Sequence, residues 1–229
     1  MKLGIMQPYF MPYIGYWQLM AAVDTYVVYD DVNYIKGGWV SRNNILLNGQ
    51  KHMFTITLNG ASPNKLFNEI TIKDDFKKFS RLLESAYRKA PYYNDVIRLF
   101  DLIYNYNDKS LGAFMMNSFQ VILDYLGIKT QLILSSSLNK DNNLRGKDKV
   151  KNICQLLGAD TYYNAIGGME LYDKEDFKNA GIELFFLKSE LCQYTQFNNE
   201  FVTGLSMIDI LMFNSPTEVN KMLNIYQLV

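Results

Sequence analysis

Apolar residues fall in short runs along the chain. LGIM lies near the start and TYVVYD at residues 25–30, with an apolar stretch from Ile14 to Val23 between them. That pattern predicts a strand, a helix and a second strand. Two extended segments follow, NNILL and KHMFTITL, joined by Asn48-Gly49. Both turn residues accept positive φ, which predicts a β-hairpin. EITIK predicts a further short strand, after which Asp74 or Asp75 caps a helix running toward Lys89 and ended by Pro91. Helices are expected over about 94–106 and 110–126, the second stopped by Gly127. TQLILSS resumes the strand pattern. In VKNICQLLG, Val150, Ile153, Leu156 and Leu157 recur at helical spacing, ahead of a strand TYYNA and a turn at Gly167-Gly168. IELFFLK reads as a strand, and LSMIDILMF and PTEVNKMLN as terminal helices, with Pro216 in the first turn of the second. Strands separated by helices in both halves predict an α/β fold. Its sheet is mixed and mainly parallel, flanked by helices, with a β-hairpin insertion, in one domain over residues 1–229.

Composition narrows the function classes. Hydrophobic residues make up 48% of the 229 positions and charged ones 20%, as in a folded globular chain. Lysine plus arginine and aspartate plus glutamate balance at 23 each. No global field is left to hold nucleic acid, so an anionic ligand must be met locally. Cys154, Cys192 and the single histidine, His52, form no zinc pattern. Gln7, Pro8 and Pro12 interrupt the opening apolar run, so it does not read as a signal peptide. No stretch approaches the roughly 18 apolar residues of a membrane span. The chain reads as soluble and cytoplasmic.

Two loops carry candidate chemistry. In open α/β sheets ligands bind beyond the carboxyl ends of the strands, where helix N-termini attract anions. QPYFMPYIG falls at such a place: Gln7 at a strand end, Pro8 and Pro12 stiffening the loop, Gly15 allowing close approach near the helix start. The second strand ends in YDDVNYIKGGWVSRN, which mixes Asp30 and Asp31 with Lys36, Arg42, Tyr34 and Trp39. Lys36 or Arg42 would suit a phosphate, and an aspartate an amine or hydroxyl. The same residues would also serve a tight core-capping turn and a solvated loop. Successive residues of a strand point to opposite faces, so at most one of Asp30 and Asp31 faces the crevice.

MQPYFMPYIGYWQLM followed by YDDVNYIKGGWVSRNNI resembles the N-terminal signature of the WbqC-like proteins, and SAYRKAPYY resembles their middle motif. LLGADTYYNAIGGMELYDKEDFKNAGIEL and QYTQFNNEFVTGLSMIDILMFNSP are similar to the C-terminal half, so the resemblance covers nearly the whole chain in order. The family motif falls on Gln7, Pro8, Pro12, Gly15, Asp30, Asp31, Tyr34, Lys36, Trp39, Arg42 and Asn43, and later on Tyr162, Gly167, Gly168, Tyr172, Gln196, Ser206 and Asp209. One departure is Tyr163-Asn164-Ala165, where members often carry a serine and a glycine.

The resemblance implies a role in bacterial surface-polysaccharide or O-antigen biosynthesis, as a transferase that modifies a nucleotide-linked amino sugar by acyl or aminoacyl transfer. No permanently bound cofactor is implied. An acyl or aminoacyl thioester, held on a carrier protein, is the candidate donor. Such chemistry needs a base for the amine and donors for the oxyanion. Asp30 or Asp31 is the candidate base, and Gln7, Asn43 or Gln196 the candidate oxyanion donor. Pro8, Tyr13, Gly15, Tyr34, Lys36, Trp39, Arg42, Asn43, Gly167, Gly168 and Gln196 are the candidate substrate contacts. Cys192 is a reserve nucleophile without a visible histidine partner. His52, in the alternating hairpin strand, reads as exposed or structural. Asp209 either needs a cationic partner or forms a capping box with Ser206. The alternative from another class is a non-catalytic module that binds a glycan precursor or a partner enzyme.

Overall fold

The computed structural model describes residues 1–198 and 200–229. In chain order the first elements are β1 (Lys2–Met6), α1 (Ile14–Ala21), β2 (Thr25–Val28), β3 (Arg42–Leu47), β4 (Gln50–Thr55), β5 (Leu58–Asn59) and β6 (Thr71–Ile72). Three helices follow, α2 (Lys77–Tyr87), α3 (Tyr93–Tyr104) and α4 (Leu111–Leu126). The chain then forms β7 (Gln131–Leu134), α5 (Gly146–Leu157), β8 (Thr161–Ala165), α6 (Lys174–Asn179) and β9 (Glu183–Ser189). It closes with α7 (Met207–Phe213), α8 (Pro216–Leu223) and β10 (Tyr226–Leu228).

Six strands form one sheet in the order β10-β9-β8-β1-β2-β7. Its members are parallel except β10, which pairs antiparallel with β9 at the edge. The chain steps from β1 to β2 to β7 on one side and then crosses back to β8 and β9 on the other, so the order reverses between β1 and β8. Connections diverge to opposite faces at such a point and leave a crevice at the carboxyl ends of the strands.

Both faces of the sheet are covered, which is why its strands read as continuous apolar runs. Tyr26 and Val28 of β2 join one core, packed with Tyr16 and Trp17 of α1 and Phe119 of α4. Val27 points the other way, into a second core with Leu3 and Ile5 of β1, Val150 and Ile153 of α5 and Phe177 of α6. The segment between β2 and β7 does not form a separate core. Ile45 and Phe54 of the β3–β4 hairpin and Leu83 of α2 belong to the first cluster. As the turn residues predict, Asn48 and Gly49 adopt positive φ, 51° and 75°. Among the described residues no helix is long and apolar enough to cross a membrane.

Several boundaries differ from the sequence expectation. Neither Asp74 nor Asp75 is the N-cap of α2; Phe76 holds that place in a left-handed conformation. The two aspartates instead accept bonds from the Phe76 and Lys77 N–H groups. Gly167 and Gly168 lie in a 3-10 helix over Ile166–Glu170, not in a turn that needs positive φ. Two elements are additional. α6 is six residues long with only Phe177 buried, too short to show a period, although Asp173 caps it. β10 gains its structure from pairing with β9 and shows no alternation of its own over three residues.

Candidate functional site

The loop after β1 and the segment after β2 meet. The Phe10 N–H donates to the Val40 carbonyl at 2.8 Å. Met11, fully buried, sits at a φ of 46°, a left-handed conformation that costs roughly 1–2 kcal/mol in a residue with a Cβ. Two donors clamp its carbonyl, the Asn43 amide at 2.8 Å and the Ser206 hydroxyl at 2.6 Å. Pro12 continues the clamp, its carbonyl accepting the Met207 N–H at 2.9 Å and the Trp17 indole N–H at 3.2 Å. One N–H of the Asn43 amide is therefore spent on loop geometry, and the residue also borders a small cavity beside the loop.

Tyr13 stands out from this clamp at 46% exposure, flanked by two small cavities. One, of about 220 Å³, is lined by Tyr9, Pro12, Trp39 and Asn44. The other, of about 200 Å³, lies toward Ser189, Cys192 and Tyr194. Gly15 is needed here because a Cβ would fall 2.4 Å from the Tyr13 ring and 2.9 Å from the Ser189 Cβ. The close approach it permits is made by protein atoms, a correction to its reading as a ligand contact. Arg42 reaches the Gly37 carbonyl and lies over the Trp39 ring, 5.6 Å from its centroid, folding the loop onto itself. Lys36 is exposed, and Tyr34 is buried against Phe67.

A third cavity, of about 450 Å³, opens at the carboxyl ends of β2 and β7, where α5 begins. Asp31, Ser136, Arg145 and Lys149 line it, with Tyr29 and Asn68. Asp31 Oδ2 accepts from Lys140 Nζ at 2.7 Å and Lys149 Nζ at 3.0 Å. The lysine side chains are only 1% and 4% exposed and that of Asp31 is 10% exposed. The other carboxylate oxygen, Oδ1, is shut off from solvent, and the Ser135 hydroxyl, likewise buried, is a further donor to the carboxyl. Burial opposes ionisation of Asp31, but hydrogen bonds from Lys140, Ser135 and Lys149 outweigh it and hold the carboxyl below its ordinary range. Lys149 also donates to the Asp31 carbonyl at 3.0 Å.

Asp30, beyond the end of β2 at Val28, does not line this cavity. It accepts from the Ser136 N–H at 2.9 Å and the Ser136 hydroxyl at 2.6 Å. A Cβ on Gly112, in the first turn of α4, would lie 2.7 Å from its own Cβ. Burial pushes its carboxyl up, against the two Ser136 bonds. Gln7 is half-buried at the end of β1, where its carbonyl accepts the Tyr16 hydroxyl at 2.7 Å. Pro8 beside it is buried. Gln7, Asp30 and Arg42 line none of the three cavities, so the expected convergence of these residues on one ligand is corrected: the loops meet, but their polar groups divide between separate places.

The later motif residues are structural. Gln196 donates to Asp209 at 2.6 Å and accepts the Val202 N–H at 2.7 Å, which removes it from the candidate substrate contacts. Asp209 is fully buried and also accepts the Tyr87 hydroxyl at 2.7 Å and the Tyr194 hydroxyl at 2.6 Å. Its partners are neutral donors, neither a cation nor a capping box; Ser206 alone caps α7. Gly168 makes room for the Asn164 amide, and Gly167 borders open space. Burial pushes the Cys154 thiol up to about 12, and burial followed by Glu190 raises Cys192, so neither resembles an activated nucleophile. His52 is exposed on β4. Among the described residues no three histidine, cysteine or acidic side chains cluster to hold a metal. Arg145 and Lys149 line the polar cavity and Lys140 pairs with Asp31, yet none was singled out by sequence, because NKDNNLRG reads as a polar loop and Lys149 falls between it and the apolar helix pattern.

Comparison with known proteins agrees with the motif pattern. The uncharacterised protein Rv1507c of Mycobacterium tuberculosis (strain ATCC 25618 / H37Rv) is 27% identical over 223 residues, covering 95% of each chain. No solved structure matches the chain. The profile of the WbqC-like protein family matches residues 7–221, and the chain belongs to that family.

Proposed function

We propose that the protein is a transferase of surface-polysaccharide biosynthesis, acting by acyl or aminoacyl transfer on the amine of a nucleotide-linked sugar, with the cavity at the ends of β2 and β7 as its substrate site. Family membership suggests the polysaccharide role. The observation that carries the site is that this cavity, at the carboxyl ends of parallel strands, is bordered by the buried Lys149–Asp31 ion pair and by Arg145. In the reaction the sugar amine attacks the thioester carbonyl, the new C–N bond replaces the C–S bond, and the amine proton leaves with the thiolate. Asp31, held ionised by two lysines, is a weak base. Its role is to hold Lys149 in place at the cavity wall. Asp30 is cut off from substrate and supports Ser136.

A second reading, a non-catalytic module that binds the glycan precursor, is favoured by the same engagement of both carboxylates. Incubation with nucleotide amino sugars and acyl or aminoacyl thioesters, followed by product mass, separates the two. A new amide in the wild type and a loss of about tenfold or more in kcat/KM for Asp31→Asn is the expected result. Binding without turnover across the panel favours the module and overturns the transferase.

A further inference from the structure

We infer that the cavity at the N-terminus of α5 grips its ligand by a phosphate group, between Lys149, Arg145 and the first N–H groups of the helix. This rests on the reading of the cavity as the substrate site and moves the phosphate contact from Lys36 and Arg42 to residues of the β7–α5 connection.

Three independent observations meet there. First, two ammonium groups, Lys140 and Lys149, converge on a single carboxylate oxygen at 2.7 and 3.0 Å. Lys140 turns its remaining capacity to the Ser135 carbonyl, but Lys149 lines the cavity. Arg145 adds a third cation whose side chain bonds only carbonyls of its own loop, Asn142 at 2.7 Å and Leu144 at 3.2 Å. Asp30 makes no ion pair with any of them, and Asp148 in the first turn of α5 is taken by Lys151 at 3.1 Å. Lys149 and Arg145 give the cavity a positive lining that favours an incoming anion.

Second, α5 is a 12-residue helix whose N-cap, Arg145, supplies no side-chain acceptor to the first turn, and Arg145 and Gly146 both border the cavity. Unsatisfied N–H groups and the positive end of the helix dipole add to the same field.

Third, Lys149 is held at the cavity wall by Asp31 Oδ2 and the Asp31 carbonyl, both at 3.0 Å, and two acceptors leave the third hydrogen of its ammonium group for a ligand. At about 450 Å³ the cavity falls within the range of small-molecule sites.

Calorimetric titration of the full chain with UDP, ribose 5-phosphate and inorganic pyrophosphate tests this. Arg145→Ala removes an exposed side chain and leaves the ion-pair cluster in place, so it keeps the fold; Lys149→Gln is the stronger variant. The expected result is binding of the two esters, about tenfold weaker in Arg145→Ala and weaker again in Lys149→Gln. Affinity should also fall with added salt. No binding of any probe at 10 mM overturns the inference, and so does ester binding that survives Arg145→Ala but is lost in Arg42→Ala. Ester binding that follows this pattern without turnover upholds the subsite and sinks only the transferase.

Discussion

Asp31 and Asp209 are both carboxylates withdrawn from bulk water, but the charge of their partners sets opposite pH signatures. Asp31 faces two lysines, and its folded pKa lies below the ordinary 3.8. Its contribution is present above that value and is lost as pH falls through the lower folded one. Asp209 is raised above 3.8 because burial outweighs the bonds from Tyr194, Tyr87 and Gln196. Its contribution is complete below 3.8 and is lost as pH rises through the folded value. Asp209→Asn fixes that site in a neutral form. Urea unfolding between about pH 4 and pH 7 should show wild-type stability declining relative to the variant as pH rises. A constant difference across that range would mean the carboxyl does not titrate there.

At the scale of elements, the exit of β2 is shaped by the start of α4. A methyl group on Gly112 would come 2.7 Å from the Asp30 Cβ and 2.9 Å from its Oδ2, at a backbone-anchored contact that cannot swing away. Gly112→Ala should cost about 1–3 kcal/mol in denaturant unfolding, as overpacking does. It should also loosen the Asp30–Ser136 bonds that fix one wall of the polar cavity. An unchanged midpoint would show that α4 is free to recede. This dependence was not legible in the sequence, where Gly112 is simply a small residue in an apolar stretch. The regular elements were legible where a period or a turn dipeptide spoke for them: the hairpin through Asn48-Gly49, α4 through its apolar face and Gly127, and α8 through Pro216. The site was legible only in part. Proline, glycine and aromatic clusters drew attention to the Tyr13 loop, and the Asp30-Asp31 pair drew attention to the segment after β2. The cations that meet Asp31 come from more than a hundred positions away, and only the parallel pairing of β2 with β7 brings them near.

Across the whole molecule, the sheet separates two apolar layers built from distant stretches of chain. The hairpin, α2, α3 and α4 between β2 and β7 share the first layer with α1, α7 and α8, so removing that segment would bare the core and not trim a lobe. We expect one cooperative transition in which both layers melt together. The molecule already contains a probe for each. Trp17 is fully enclosed on one side of the sheet and Cys154 on the other. A thiol reagent added along a urea series should therefore find Cys192 slowly from the outset and Cys154 only when indole fluorescence changes. If the sulfur became reactive while the tryptophan signal held, the α5–α6 side would be opening on its own, carrying with it the β7–α5 connection from which Lys140, Arg145 and Lys149 reach toward Asp31.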